Sequence, residues 1–245
     1  MTQAIIFTGG INHPFDSAAP ALAEVLQGAG LQPRISYEIA EVIAALQREP
    51  SALLVIYALR WSMTQHEKYL PDRPRWAFSM PLEARAAIAN HVRSGGGLLG
   101  VHTASICFDD WPEWGEVLGS AWVWGQSYHP LLGPVKARLA KQHLLTRGLE
   151  DFSVNDEVYS NLQLAPGVEI GAWVEAAPGA KTASGDSVAP GAQPCLVSHR
   201  YGSGRAVYDS LGHDAASLQH PVHRRLLQRA ALWACGKPEH IVEAA

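Results

Sequence analysis

At the centre of the sequence, residues 95–105 read Gly-Gly-Gly-Leu-Leu-Gly-Val-His-Thr-Ala-Ser. Three glycines end a helical pattern, and the apolar run after them shows no polar alternation, which is typical of a strand buried on both faces. His102 stands where this strand must reach the surface. Ligands of open α/β sheets bind just outside the carboxyl ends of strands, so His102 is the first candidate site residue.

On both sides of this stretch, strands and helices are predicted to alternate. The predicted strands cover residues 4–8, 32–37, 52–59, 133–140, 168–174, 195–199 and 205–211. The predicted helices cover residues 18–29, 38–48, 82–93 and 226–235. Apolar strands separated by helices indicate a parallel sheet that is covered on both faces. We therefore expect one α/β domain over residues 1–240, followed by a C-terminal tail at 241–245.

The composition describes an ordinary globular protein. Of the 245 residues, 47% are hydrophobic and 17% are charged, as in most globular proteins. The net charge is −4 and the sequence has no stripe of Lys and Arg, which argues against nucleic-acid binding. Three isolated cysteines without CxxC spacing indicate free thiols in a reducing compartment. No apolar run is long enough to span a bilayer, and the N-terminus lacks a signal-peptide pattern, so we expect a cytoplasmic protein without membrane contact. A homodimer is expected only because homodimers are common.

Polar groups follow three of the predicted strands at the point where each strand ends. They are His102, the group Asp156, Glu157 and Tyr159, and the tripeptide Gly212-His213-Asp214. Such strand ends can converge on one pocket, where histidine, carboxylate and tyrosine can do acid–base chemistry or hold a metal. A single histidine is more often a structural residue, so it is the set of three that indicates function.

A divalent metal such as zinc is one possible cofactor. Zinc takes three or four His, Cys or carboxylate ligands, and the sequence offers five candidates, namely His13, His102, His129, Glu157 and His213. His102, His213 and Glu157 form the predicted ligand set. No HExxH or HxH motif fixes the geometry on one element, so acid–base or binding roles for these residues remain open.

Aromatic residues are concentrated near the same predicted face. Six of the eight tryptophans lie between residues 61 and 124, partly in a long loop at 60–80. Tryptophan is usually a core residue, but a set of tryptophans can also stack on sugar rings. The predicted substrate-binding residues are His13, Trp61, Trp124, His129, Asp156 and Asp214.

Other common motifs are absent or incomplete in the sequence. The Gly9-Gly10 pair lacks the G-x-G-x-x-G spacing of a dinucleotide site. Ser105 does not lie in a G-x-S-x-G motif, and Cys107 follows the strand end by a helical turn or more. A hydrolase that uses Ser105 or Cys107 as nucleophile is a further hypothesis, beside the enzyme and the binding module described below.

In three stretches the sequence resembles the ThuA-like (trehalose utilisation) family of the class I glutamine amidotransferase-like superfamily. The likeness rests on residues 95–102, on 143–149 with 152–159, and on 201–205 leading to 211–214. Leu144 departs from this family, which often has proline there. The resemblance implies a flavodoxin-like three-layer sandwich with a mostly parallel central sheet. It also implies that the amidotransferase cysteine is absent.

The resemblance further implies a role in carbohydrate catabolism on sugars or glycosides that a partner sugar dehydrogenase has oxidised to 3-keto forms. The matching positions are His102, Asp156, Glu157, Tyr159, His213 and Asp214. We expect an enzyme whose small-molecule carbohydrate substrate loses a proton beside its carbonyl, so that it is isomerised or cleaved. His102 or His213 with Glu157 would be the base, and Tyr159 or a metal would polarise the carbonyl. The alternative is a non-catalytic sugar- or partner-binding module on the same scaffold.

Overall fold

A large mixed sheet forms the centre of the molecule. The computed structural model describes residues 1–189 and 191–245, and within them the chain forms a nine-stranded sheet, a small two-stranded sheet and eight α-helices. The strands are β1 (Gln3–Gly9), β2 (Gln32–Ser36), β3 (Leu53–Ala58), β4 (Gly97–Val101), β5 (Ser120–Ala121), β6 (Gly133–Leu139), β7 (Phe152–Asp156), β8 (Gln163–Leu164), β9 (Glu169–Ala176), β10 (Gln193–Tyr201) and β11 (Gly204–Asp209). The helices are α1 (Phe15–Gly28), α2 (Ile39–Arg48), α3 (Arg73–Trp76), α4 (Leu82–Arg93), α5 (Trp114–Leu118), α6 (Ala215–Gln219), α7 (Pro221–Ala234) and α8 (Glu239–Ala244).

The strand order of the large sheet is β2-β1-β3-β4-β11-β10-β9-β6-β7. The first five strands are parallel to their neighbours, as the alternation of strands and helices predicts. The other four pairings are antiparallel, because β9, β10 and β11 follow one another without a crossover helix. These pairings make β4, β11 and β7 run in the same direction, so their carboxyl ends lie at one edge of the sheet.

Helices cover both faces of the sheet and make a three-layer α/β sandwich, which confirms the predicted fold class. One core cluster packs α1 and α7 against the sheet through side chains such as Leu22 and Leu227. The other packs α2, α4 and α5 against the opposite face, with Leu46, Ile88 and Val117 buried. Strands such as β3 are buried along their whole length, because both of their faces meet helices.

Two segments differ from the sequence-based expectation. Residues 60–80, expected as a loop, contain a 3₁₀-helix at Glu67–Tyr69 and the short helix α3. Residues 241–245, expected as a tail, lie mostly in α8, which packs on α7 and buries Val242 completely. An apolar side chain with a helix face to pack on gains free energy by burial, so this terminal segment joins the domain.

None of the helices formed by residues 1–189 and 191–245 combines the length and the apolar character that crossing a bilayer requires.

Gly204, at the start of β11, fits where no other residue does. A Cβ atom there would collide with the backbone carbonyl oxygen of Val92 and would lie 2.5 Å from that of Gly96. The first carbonyl lies in the last turn of α4 and the second just before β4, so β11 can pair with β4 only if this position lacks a side chain.

We expect Gly204→Ala to lower the free energy of unfolding by ~2 kcal/mol or more, because backbone atoms must move to admit the methyl group. Urea unfolding would measure this. The matched control is Gly133→Ala in β6, where the nearest neighbouring atom would be 3.7 Å from the new Cβ and the stability should hardly change. Equal stability of the two variants would contradict this account of the β4–β11 junction.

Candidate functional site

His102 occupies a sharp backbone turn at the end of β4. Its φ angle is +52°, in the left-handed region that residues with a Cβ rarely adopt, and it begins a 3₁₀-helix at His102–Ser105. Its imidazole is completely buried, and Nδ1 lies 2.8 Å from the carbonyl oxygen of Ser210. Strained backbone at a strand end is a common feature of functional sites, and here it places the imidazole at the edge where β4, β7 and β11 end.

Four side chains from four strand ends meet around one point. They are His13 after β1, His102 after β4, Glu157 after β7 and His213 after β11, and one ligand atom from each lies within 4.8 Å of the others. Glu157 Oε2 is 3.4 Å from His102 Nε2 and 3.6 Å from His13 Nε2, and Glu157 Oε1 is 3.6 Å from His213 Nδ1. We call these four residues the His/Glu cluster. It contains the whole ligand set predicted from the sequence and adds His13, which the sequence suggested as a substrate-binding residue.

The charges of the cluster depend on one another. Burial would raise the pKa of Glu157, but the imidazoles of His102, His13 and His213, 3.4–3.6 Å from its oxygens, outweigh burial and hold this pKa far below its usual range. Burial would likewise lower the pKa of His102, yet Glu157 and Asp156 raise it above the ordinary histidine value. The pKa of His13 is lowered by burial and by the other two imidazoles, despite Glu157. The cluster therefore combines an ionised carboxylate with a strong tendency to hold positive charge.

Tyr159 and His129 flank the cluster. The Tyr159 hydroxyl is 3.3 Å from His102 Nε2, and the two rings stack with centroids 4.8 Å apart. Burial and the nearby Glu157 carboxylate raise the pKa of Tyr159 well above its ordinary value, so the phenol stays protonated and can donate. His129 Nδ1 lies 3.6 Å from Glu157 Oε1 and 2.9 Å from the carbonyl oxygen of Pro130.

An aromatic-walled cavity of about 610 Å³ lies beside the cluster on the His129 side. We call it the Trp cavity. Trp122 in its wall has its ring centroid 5.4 Å from that of Tyr159, so the cavity and the cluster are neighbours. The residues that line it are Lys68, Tyr69, Trp122, Trp124, Ser127, Tyr128, His129, Thr182, Ala183, Ser184, Asp186, Ser187 and Ala189.

The structure separates the predicted substrate-binding aromatics into two kinds. Trp124 and His129 line the Trp cavity. Trp61 is only 1% exposed, stacks beneath Trp124 with centroids 6.2 Å apart, and donates from Nε1 to Gln65. Trp61 is therefore a core residue that supports the cavity wall. Trp122 was not among the predicted binding residues, although its position two residues before Trp124 was a usable signal.

Asp156 is an internal acceptor, not a group exposed to ligand. Its two carboxylate oxygens accept hydrogen bonds from the backbone N–H groups of Glu157 and Gly212, both at 2.8 Å, from that of His213 at 3.4 Å, and from the Ser217 hydroxyl. It is completely buried. The side chain thereby fixes the backbone on either side of two cluster residues, which is a positioning role in place of the predicted substrate contact.

Asp214 has a local structural function. Its Oδ1 accepts the backbone N–H of Ser217 at 2.9 Å and caps the N-terminus of α6. This hydrogen bond accounts for the carboxylate without a ligand, so the structure gives no support to the predicted substrate contact of Asp214.

A buried pair, His223 and Asp209, is linked to Asp156 through Ser217. His223 in α7 places Nε2 3.1 Å from Asp209 Oδ2 and Nδ1 2.8 Å from the carbonyl oxygen of Ser217. Burial alone would lower the pKa of His223, but the Asp209 carboxylate raises it. Because Asp209 ends β11 and Ser217 binds Asp156, this pair ties α7 to the segment that carries His213.

The two candidate nucleophiles are engaged elsewhere. The Ser105 hydroxyl shares a 2.8 Å hydrogen bond with the Tyr208 hydroxyl. Cys107 donates to the carbonyl oxygen of Ala58, and burial raises the pKa of its thiol to about 12. A thiol that stays protonated is a poor nucleophile, so neither residue gains support as the centre of a hydrolase.

Comparisons with known proteins agree with this architecture. A sequence model of the ThuA family, described as trehalose utilisation, matches residues 76–234. A ThuA-like protein from Parabacteroides merdae ATCC 43184 is similar in structure, with a TM-score of 0.71 and 19% identity over 96% of this chain and 91% of that one. A ThuA-like protein from Bacteroides uniformis ATCC 8492 gives 0.60 and 17% over 96% and 91%. A cytoplasmic protein from Salmonella typhimurium LT2 gives 0.55 and 17% over 98% and 99%. No curated protein matches the sequence.

We expect Asp156→Asn to destabilise the protein by roughly 2–4 kcal/mol, because an amide N–H₂ would then face buried N–H donors that need an acceptor. Urea unfolding of the variant and of the control Asp186→Asn, which changes an exposed carboxylate, would measure the effect. If the two variants were equally stable, Asp156 would not hold the strand ends together.

The His223–Asp209 pair predicts a pH dependence of stability. The pKa of His223 is raised in the folded protein above the ordinary 6.5, so its contribution is fully present below pH 6.5 and is lost as the pH rises through the folded-state pKa. The difference in unfolding free energy between wild type and His223→Gln should therefore shrink as the pH is raised from 6 to 9. A difference that does not change over this range would mean that His223 is neutral when folded.

Proposed function

Because the chain belongs to the ThuA (trehalose utilisation) family, we propose that it is a carbohydrate-catabolism enzyme acting on a keto-sugar or a 3-keto-glycoside. Membership of this family points to a carbohydrate-related role. The observation that carries the finer proposal is the placement of the His/Glu cluster beside the Trp cavity. A site for acid–base chemistry at a carbonyl thus adjoins a surface suited to a sugar ring.

The proposed reaction begins with loss of the proton on C2, next to the C3 ketone. The C2–H electrons form an enediolate, whose negative charge rests on the former ketone oxygen. Return of the proton to C3, together with transfer of the hydroxyl proton from the C2 oxygen to the C3 oxygen, gives the 2-keto isomer. Alternatively, the enediolate electrons expel the oxygen at C1, which takes up a proton, so the glycosidic bond breaks and an enone and an alcohol are released. Both routes are redox-neutral and need only one base and one group that stabilises the oxyanion.

We assign oxyanion stabilisation to His102, His213 and Tyr159, with Glu157 holding the imidazoles in place. The raised pKa of His102 favours the protonated, donating form, and Tyr159 remains a donor at neutral pH. Glu157 itself is a weak base because its pKa is so strongly lowered. His102, His213 and Tyr159 are thus the proposed catalytic groups on the oxyanion side, and Glu157 positions them.

We assign the removal of the C2 proton to His129, which lies at the boundary between the cluster and the Trp cavity. Its Nδ1–H donates to the carbonyl oxygen of Pro130, which leaves Nε2 as the unprotonated nitrogen that can accept a proton. The sequence predicts His102 or His213 with Glu157 as the base and His129 as a substrate-binding residue. In the proposed reaction, His129 is the base.

The Trp cavity is the proposed substrate site. Trp122 and Trp124 present ring surface on which the C–H face of a sugar can stack, and a volume of about 610 Å³ is in the range of small-molecule sites. A keto group must first be introduced by oxidation, so a sugar dehydrogenase is the proposed functional partner. The proposed location is the cytoplasm, in line with the name of the Salmonella protein of similar fold.

A non-catalytic sugar-binding module is the second candidate. The observation that favours it is the burial of the cluster, since the His102 side chain has no exposed surface and that of Glu157 is 9% exposed. In this case the Trp cavity would bind a sugar that never reaches the imidazoles.

Incubation with a 3-keto-disaccharide in D₂O distinguishes these candidates. The enzyme should incorporate deuterium next to the carbonyl and convert the substrate, as followed by NMR. Glu157→Gln and His129→Ala should each lower kcat at least about 100-fold, the usual scale of acid–base contributions, because the first loosens the imidazoles and the second removes the base. The control Glu116→Gln, at an exposed carboxylate, should retain full activity.

Recovery of unchanged, deuterium-free disaccharide from a protein that binds it would favour the binding module. Full activity of both Glu157→Gln and His129→Ala would show that the reacting groups lie elsewhere.

A further inference from the structure

The hydrogen bonds of His13 and His102 determine which ring nitrogens carry protons. His102 Nδ1 lies 2.8 Å from the Ser210 carbonyl oxygen, and His13 Nδ1 lies 3.3 Å from that of Ile11. A carbonyl oxygen only accepts, so each Nδ1 carries the hydrogen. In the neutral rings, both Nε2 atoms are therefore lone-pair acceptors.

These two Nε2 atoms face each other at 3.0 Å. Two lone pairs at that distance repel unless positive charge lies between them or beside them. The Tyr159 hydroxyl, 3.3 Å from His102 Nε2, can donate to that lone pair but leaves the one on His13 without a donor. The backbone carbonyls of Ser210 and Ile11 thus orient both rings towards a position that calls for positive charge. Ligating histidines in metalloproteins are oriented in this way, with one nitrogen donating to a carbonyl and the other free.

The other two members of the cluster have buried polar atoms without partners at the same place. Glu157 Oε2 and His213 Nδ1 are both buried and without a hydrogen-bond partner in the part of the chain that the structure describes. Glu157 as a whole is more than nine-tenths buried. A buried acceptor without a donor costs free energy, so these two atoms also call for a cation.

One proton cannot satisfy this arrangement. A proton between His13 and His102 would leave Glu157 Oε2 and His213 Nδ1 without partners, whereas a metal ion binds all four atoms at once. In a tetrahedral site with metal–ligand bonds of about 2.0–2.1 Å, the ligand atoms lie about 3.4 Å apart. His13 Nε2, His102 Nε2 and Glu157 Oε2 lie 3.0, 3.4 and 3.6 Å apart, on either side of that value, and one ligand atom of His213 lies within 4.8 Å of the others.

We propose that His13, His102, Glu157 and His213 bind one divalent transition-metal ion of the zinc type. Three imidazole nitrogens and one carboxylate oxygen suit zinc, and such a set without thiolate also accepts cobalt. The set goes beyond the three ligands predicted from the sequence, because His13 supplies the fourth.

The proposal rests on the proposed function in one respect only. An ion in the cluster would supply the electrophile for the ketone oxygen, a task otherwise left to protonated imidazoles. Tyr159 and His129 are outside the ligand set and would then be the residues that hold and transfer the proton. The metal site itself stands on geometry and is tested without any sugar.

The test uses the full chain after removal of metals with a chelator. Titration with Co²⁺ should produce visible d–d absorption that saturates at one ion per chain, and Zn²⁺ should displace it. His13→Ala and Glu157→Gln should each weaken Co²⁺ binding at least 100-fold, because the first removes a ligand atom and the second replaces the carboxylate by a neutral amide. The control His66→Ala, at an exposed histidine, should bind as wild type does. Zn²⁺ should also raise the Tm of wild type and have little effect on the Tm of His13→Ala.

Circular dichroism would confirm that each variant is folded. If folded, stripped wild type shows no d–d absorption with Co²⁺ and no Tm shift with Zn²⁺, the metal site is excluded. Binding that persists unchanged in both His13→Ala and Glu157→Gln would also overturn the proposal. Turnover of the 3-keto-disaccharide by metal-free protein would refute the ion's role and leave the proposed function intact. If the protein binds one ion but does not turn over the sugar, the metal site is confirmed and the proposed function is overturned.

Discussion

The buried carboxylate of Asp156 is the interaction on which the arrangement of the site depends. In the sheet order, three strands separate β7 from β11, yet Asp156 at the end of β7 accepts the N–H of Gly212 after β11. A buried carboxylate needs several donors to offset the loss of water, and here the backbone on both sides supplies them. Satisfying this one group therefore requires Glu157 and His213 to be neighbours, whatever ligand they bind.

The same edge of the sheet explains why the cluster is both well ordered and short of hydrogen bonds. Each imidazole is oriented by its own element, His102 by the strained turn after β4 and His13 by the loop after β1. The lone pairs are thus aimed at a shared point by backbone geometry, not by contacts among themselves. Such convergence of acceptors is costly in an apolar surrounding, and a bound cation offsets that cost.

Much of the parallel half of the sheet could be predicted from the sequence, because apolar runs such as 52–59 and 97–101 and the helices between them are local signals. His102, Glu157 and His213 could be found for the same reason, since each follows a strand directly. The antiparallel half could not be ordered, because the pairing of β6 with β9 depends on contacts far apart in sequence. The burial of Trp61 and the inward direction of Asp156 were missed for a related reason. Their partners, Trp124 and Gly212, lie about 60 residues away along the chain.

The stacking of Trp61 beneath Trp124 has a consequence for selectivity. Half-buried Trp124 stacks on a second indole, that of Trp61, which is itself held by a hydrogen bond to Gln65, and this packing limits the movement of the Trp124 ring. A surface that is already rigid loses little conformational entropy when a ligand is bound. It also cannot reshape itself to suit a poor fit. At the proposed sugar site, such a wall would favour sugars whose ring shape already fits it.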